Sequence, residues 1–383
     1  MRRLAALVAI AALGTSAAGC GGPVLANPAA PHPVAAPTST PAVRPPDPQP
    51  VVLPADDAPH DRLTEWWYDT GHLRAADGRR FGFELVVFRA ERGGFPVSWA
   101  SHLALTDESG HAFHYAQRSE IGPQVDRSPR DGDAALEYAF EVDGATGTTP
   151  WTMAGGDGTD ELRAQAAGDE VGGDAIAGFR LDLRLAARKP AVLHDGDGWI
   201  DFGAAGGSYY YSRTDMAATG TVTLGDETLA VEGDAWFDHQ WGDFISVGAG
   251  GWDWFAVNLD DGTDLTLSLV RAADGTYPLV YGTLVDADGR ARHLDAAAFT
   301  VDVTDHWTSP STGATYPAGW RVALPGEHLA IDLRPTVPQQ ELDTRATTGV
   351  VYWEGSQVVA ATRDGRQLGG EGYVELTGYA ADR

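Results

Sequence analysis

The chain contains a single cysteine, Cys20, in 383 residues, so no internal disulfide holds it together. Basic residues are scarce, with 27 Lys and Arg against 54 Asp and Glu, a net charge of −27 at pH 7. A nucleic-acid reader needs a basic stripe to displace the counterions of the phosphate backbone, so no nucleic-acid partner is expected. Convincing helical periodicity is nearly absent, and no run approaches the ~20 apolar residues of a transmembrane helix. The histidines lack His-x-His or Cys/His ligand spacing, so no metal is expected. No G-x-S-x-G nucleophile elbow occurs, which argues against a serine hydrolase. Glycine pairs such as Gly93-Gly94 mark loops rather than phosphate cradles, and no cofactor is expected.

What is present begins with a leader. Arg2 and Arg3 precede an apolar stretch from Leu4 to Leu13, and Ala17-Ala18-Gly19-Cys20 resembles a bacterial lipobox. Residues 1–19 are therefore expected to be a lipoprotein signal peptide, with Cys20 lipidated and the chain exported and anchored to a membrane at the cell envelope. Residues 20–59 are rich in Pro, Ala and Thr and read as a disordered tether, because they cannot bury enough apolar surface to offset their ordering entropy.

Beyond the tether the pattern alternates with period two. Trp66, Tyr68, Thr70 and His72 share one face of a strand, and Ala75-Ala-Asp-Gly78 reads as a hairpin turn leading to Phe81–Phe88. Turn signals recur about every ten residues to the end of the chain. The expected fold is all-β, with two consecutive antiparallel barrels over residues 60–243 and 244–383, because closure removes exposed strand edges.

Four of the 12 tryptophans fall close together, in Asp234-Ala-Trp-Phe-Asp-His-Gln-Trp-Gly-Asp243 and Gly250-Gly-Trp-Asp-Trp-Phe-Ala-Val-Asn-Leu259. These stretches are expected to line the inside or mouth of the barrels. Asp253 shares a strand face with Phe255, Val257 and Leu259, so if that face points inward it is a lone acid among apolar side chains. Burial raises a carboxyl pKa and keeps it protonated, which makes Asp253 the candidate proton donor. His239 is placed to orient or deprotonate water and Asp238 is a further catalytic candidate. Trp236, Trp241, Trp252, Trp254, Tyr68, His72 and His102 are the candidate substrate-binding residues, the indoles offering π faces to a developing cation. The competing reading makes each Trp–Asp pair structural, the carboxylate accepting the indole N–H.

Taken in order, Glu65-Trp-Trp-Tyr, Thr70-Gly-His-Leu73, Phe81-Gly-Phe83, Ala235-Trp236 with Asp238 and Trp241-Gly242, Gly251-Trp-Asp-Trp254, Tyr352-Trp-Glu-Gly355 and Gly372-Tyr-Val-Glu-Leu-Thr-Gly-Tyr379 resemble the AttH-like and carotenoid 1,2-hydratase (hydroxyneurosporene synthase) family. The resemblance implies two lipocalin-like barrels. For its hydratase members it implies addition of water to an isolated C=C without a redox cofactor. The expected partner is an elongated hydrophobic molecule: a polyene, an isoprenoid or a lipid. A non-catalytic carrier or sensor of such a molecule, and a glycan binder with surface tryptophans, are the alternatives.

Overall fold

The computed structural model describes residues 46–129, 137–144, 148–244 and 249–380, so Cys20 and the leader lie outside the described residues. Period-two alternation dominates, and the described residues form two antiparallel sheets, one of 13 strands and one of 10. In each sheet most successive strands pair as neighbours and the first strand also pairs with the last. Thr64–Ala75 lies between Arg80–Ala90 and Glu227–Gly242, and Ala249–Leu259 pairs with both Asp264–Ala272 and Arg366–Thr377. That is the wiring of an up-and-down barrel, matching the all-β, lipocalin-like expectation. In the first sheet the remaining gap is bridged where Arg127 N–H donates to Ala139 O (2.8 Å) and Glu141 N–H to Val125 O (2.9 Å). The second sheet curls but has no ladder between its end strands Ala291–Asp295 and Thr300–Thr308.

Side chains pack each interior. The first holds Trp67, Trp99, Trp151, Phe81, Phe83, Phe237 and Tyr211 in one contiguous buried cluster; the second holds Phe255, Trp320, Trp353, Tyr316 and Leu376. Aromatic and branched side chains thus fill both interiors.

Residues 46–59, expected to be tether, instead pack against the first barrel. Asp57 is buried and accepts from the Tyr211 hydroxyl and the Arg213 guanidinium, and Gln49 N–H donates to Tyr209 Oη at 2.7 Å. The anchoring residues are the few polar ones in a Pro/Ala-rich run. Composition averages them away.

The alternation also decides which faces meet. Trp66, Tyr68, Thr70 and His72 point out of the first barrel, yet Tyr68, Thr70 and His72 are buried. Their cover is the second sheet, which presents Trp254, Ala256 and Tyr373 to Tyr68, Val86 and Trp236. A residue without a side chain sets the closest approach: a Cβ on Gly82 would lie 2.6 Å from Tyr373 Oη and 2.8 Å from Ser356 Cβ.

Candidate functional site

The centre of the seam between the sheets is lined by four carboxyl groups, three of them buried and Glu375 half-buried. Glu84 and Asp238 come from the first sheet, Glu354 and Glu375 from the second, where the last two are direct cross-strand partners. Each sheet holds an acid of the other. Tyr68 Oη donates to Glu354 Oε1 at 2.7 Å, and Tyr352 Oη donates to Glu84 Oε1 at 2.8 Å. The second oxygen of each acid, Glu84 Oε2 and Glu354 Oε2, is buried without a hydrogen-bond partner among the described residues. Around them Tyr68 and Trp254 meet edge to face at 5.5 Å, and Trp236 and Trp254 at 6.1 Å. Trp66 and Phe88, both half-buried, pack against the same cluster.

Burial dominates the electrostatics. It pushes Glu84 up to about 8, against the hydrogen bond from Tyr352, and the nearby Glu375 adds to the rise. It pushes Glu354 well above the usual carboxylate range, helped by Glu84 and Glu375. Glu375 rises to about 7, with the Trp252 indole N–H, 3.0 Å from Oε2, opposing the shift. Burial and mutual repulsion both favour the neutral acids, most of all for Glu84 and Glu354. A neighbouring relay orients one of them. Tyr352 spends its only proton on Glu84, so at 2.8 Å from Tyr352 Oη it is His102 Nδ1 that donates. Burial lowers the His102 pKa to about 3, which disfavours its charged form.

The expected site residues separate into three places. Tyr68, Trp236, Trp254 and Asp238 line the seam, as does His102, and Trp252 sits at its edge, 36% exposed. None of these lines a barrel interior, which corrects the expected location: the outer faces are the ones that meet. Asp238 accepts from Tyr210 (2.6 Å), the Trp236 indole (2.7 Å) and Ser212. Burial still raises its pKa to about 6. With every close partner a donor, it serves as an acceptor that fixes Trp236 and Tyr210. His72 lies farther along the seam, between Glu108 Oε1 (3.1 Å) and Gly372 O (2.9 Å). It adjoins a polar cleft of about 600 Å³ lined by Arg80, Arg188, Glu108, Asp264 and Glu371.

His239 and Trp241 face into the first barrel, where the His239 ring stacks on Trp67 at 4.6 Å. Asp253 faces the other way, into the second barrel, so the structure does not bring His239 and Asp253 together. Nor is Asp253 a lone acid. Arg271 Nη1 lies 3.1 Å away, Tyr379 Oη donates at 2.9 Å and the Tyr277 hydroxyl at 3.4 Å. Its apolar strand neighbours concealed the cation, which arrives from the adjacent strand. Burial raises its pKa, but the Arg271 guanidinium, itself over the Tyr379 ring at 3.9 Å, opposes that rise.

Comparison with known proteins agrees with this architecture. The chain resembles a crystal structure of an AttH protein from Nitrosomonas europaea, with 31% identity and a TM-score of 0.72 over 88% of this chain and all of that one. It shares its fold with kievitone hydratase from Nectria haematococca, at 16% identity and a TM-score of 0.63 over 86% of this chain and 93% of the other. In sequence it is 25% identical to the dehydratase asqC of Emericella nidulans over 206 residues, a match spanning 51% of this chain and 57% of that relative's length. The AttH-like family signature runs from residue 44 to residue 379, through both sheets and every acid of the seam, and the chain belongs to that family.

Proposed function

We propose that the protein adds water to, or removes it from, an isolated C=C of a largely apolar molecule, with the seam between the barrels as its active site. One observation carries the reading: Glu84 and Glu354 each have one oxygen bound by a tyrosine of the opposite sheet and the other oxygen buried and unpartnered. A carboxylic acid held in this way presents its O–H to whatever enters the seam. In the hydration direction that O–H protonates one alkene carbon, leaving a carbocation and a carboxylate. Water attacks the cation, and the carboxylate takes the surplus proton, restoring the acid. Dehydration runs the same steps backwards from the alcohol. The Trp254, Trp236 and Tyr68 rings are placed to stabilise the cation through their π faces. The hydratase and dehydratase relatives support the reaction class. The seam is apolar and aromatic at its centre, which supports a polyene or isoprenoid substrate over a sugar.

The test is oxygen incorporation from ¹⁸O-labelled water into acyclic polyenes and isoprenoids, followed by mass spectrometry, with the full-length chain and its Glu84→Gln, Glu354→Gln and Glu375→Gln variants. The expected result is label uptake by the wild type and a loss of at least 100-fold, about 2.7 kcal/mol of barrier, in Glu84→Gln or Glu354→Gln. Turnover that survives all three substitutions overturns the assignment. We further propose, from the lipobox-like Ala17-Ala18-Gly19-Cys20, that the enzyme works at a membrane surface through lipidated Cys20. Mass spectrometry of the amino-terminal peptide from the native host tests it, an unmodified Cys20 being the contrary result.

A further inference from the structure

The first barrel carries a second group of converging side chains, at the end covered by residues 46–63 and on the opposite side of the sheet wall from the seam. Glu65 points into this barrel and is fully buried. Its Oε1 is 2.7 Å from His60 Nδ1 and 3.0 Å from His239 Nε2. The His60 backbone N–H also meets the carboxylate, 2.9 Å from Oε2. One donor atom from each of the three residues lies within 4.8 Å of the other two. Protein ligands about 2.1 Å from a zinc ion stand roughly 3.0–3.5 Å from one another, so the Glu65 carboxylate must draw back from its hydrogen-bonded distances of 2.7 and 3.0 Å to admit the ion.

Two features beyond proximity favour a cation there. Both imidazoles are held by indole faces, His60 parallel to Trp241 at 4.2 Å and His239 against Trp67 at 4.6 Å. The far nitrogen of His60 faces Asp56 Oδ1 at 3.5 Å, the arrangement of an orienting carboxylate behind a metal-bound histidine. His239 Nδ1 is buried without a partner among the described residues, and it would carry the ring's proton once Nε2 binds a cation.

We propose that His60, Glu65 and His239 form a binding site for a divalent first-row metal ion, zinc above others, that ties the 46–63 segment to the end of the first barrel. Two imidazoles and a carboxylate suit zinc and leave a fourth position for water. Binding displaces protons from the imidazoles, so affinity rises with pH.

The test uses the tag-free, full-length chain with zinc chloride, read by calorimetry and by elemental analysis after dialysis, and with cobalt(II) as a visible-absorption probe. The expected result is one zinc per chain, a cobalt spectrum of low coordination number, and an affinity at least tenfold lower in His60→Ala and in Glu65→Gln. His60 lies in a loop and is partly exposed, so His60→Ala keeps the question open should Glu65→Gln fail to fold. His306→Ala, on an exposed strand, serves as the control and keeps wild-type affinity. Failure of the wild type to retain zinc, or equal affinity in His60→Ala and wild type, overturns the proposal.

Discussion

Replacing Glu84 by Gln isolates the energetic consequence of a protonated acid in the seam. Glutamine preserves the shape, and its amide oxygen still accepts from Tyr352, while the group no longer ionises. An acid whose folded-state pKa exceeds its unfolded value makes the fold less stable as pH rises through the interval between the two, because unfolding then releases a proton. For Glu84 that interval runs from 4.5 to about 8. Each pH unit inside it removes about 1.4 kcal/mol, so between pH 5 and pH 8 this one group lowers the unfolding free energy by about 3–4 kcal/mol. Urea unfolding of wild type and Glu84→Gln at a series of pH values measures the difference directly. The variant should have a flatter stability–pH curve, with the gap between the curves widening by about 3 kcal/mol from pH 5 to pH 8. Parallel curves would mean that Glu84 is ionised in the folded protein at pH 7, and would refute the reasoning.

Three other substitutions probe the frame around the acids. Gly82→Ala places a methyl group against Tyr373 and Ser356 and forces the sheets apart; urea unfolding should show a loss of about 2 kcal/mol. Asp253→Asn strips Arg271 of its carboxylate and should lower stability by about 3 kcal/mol, seen as a fall in the urea midpoint that high salt does not reproduce. Asp238→Asn turns an amide N–H₂ toward groups that themselves donate, and should cost about 2 kcal/mol and shift the fluorescence of Trp236, whose indole it holds.

Much of the fold was legible because strand alternation and turn chemistry are local. The period-two faces of Trp66–His72 and of Asp253–Leu259 emerge as read, and the first-to-last pairing agrees with an antiparallel meander, although the second sheet stays open between its end strands. The hidden part was which outward face would be covered. Alternation separates two faces without saying that a second sheet will bury the outer one, so the stretches around Trp236 and Trp254 read as the inside or mouth of the barrels, while Phe237, Phe255 and Trp67 fill the interiors. Glu84, Glu354 and Glu375 were missed as chemistry, although a signal exists. Each is the one charged residue in an apolar or aromatic run: Phe-Gly-Phe-Glu-Leu-Val-Val-Phe, Val-Tyr-Trp-Glu-Gly and Gly-Tyr-Val-Glu-Leu. A lone carboxyl in the middle of a strand with both faces apolar has nowhere to reach solvent. The Asp253 stretch gave the same signal, and its Arg271 partner became visible only through the register that sets the two strands side by side. Likewise, residues 60, 65 and 239 meet through strand pairing and a covering loop, which ligand spacing along a chain does not register.

The proposed chemistry needs carboxyl groups that keep their protons between the two barrels in neutral solution. Infrared spectroscopy at pH 7 reads this directly, since a protonated carboxylic C=O absorbs apart from ionised carboxylates. Such a band is expected in the wild type, diminished in Glu84→Gln and again in the Glu84→Gln/Glu354→Gln double variant, with the Glu84 share fading in the wild type above pH 8. A wild-type spectrum showing only carboxylate at pH 7, or a protonated band untouched by either substitution, would contradict that chemistry.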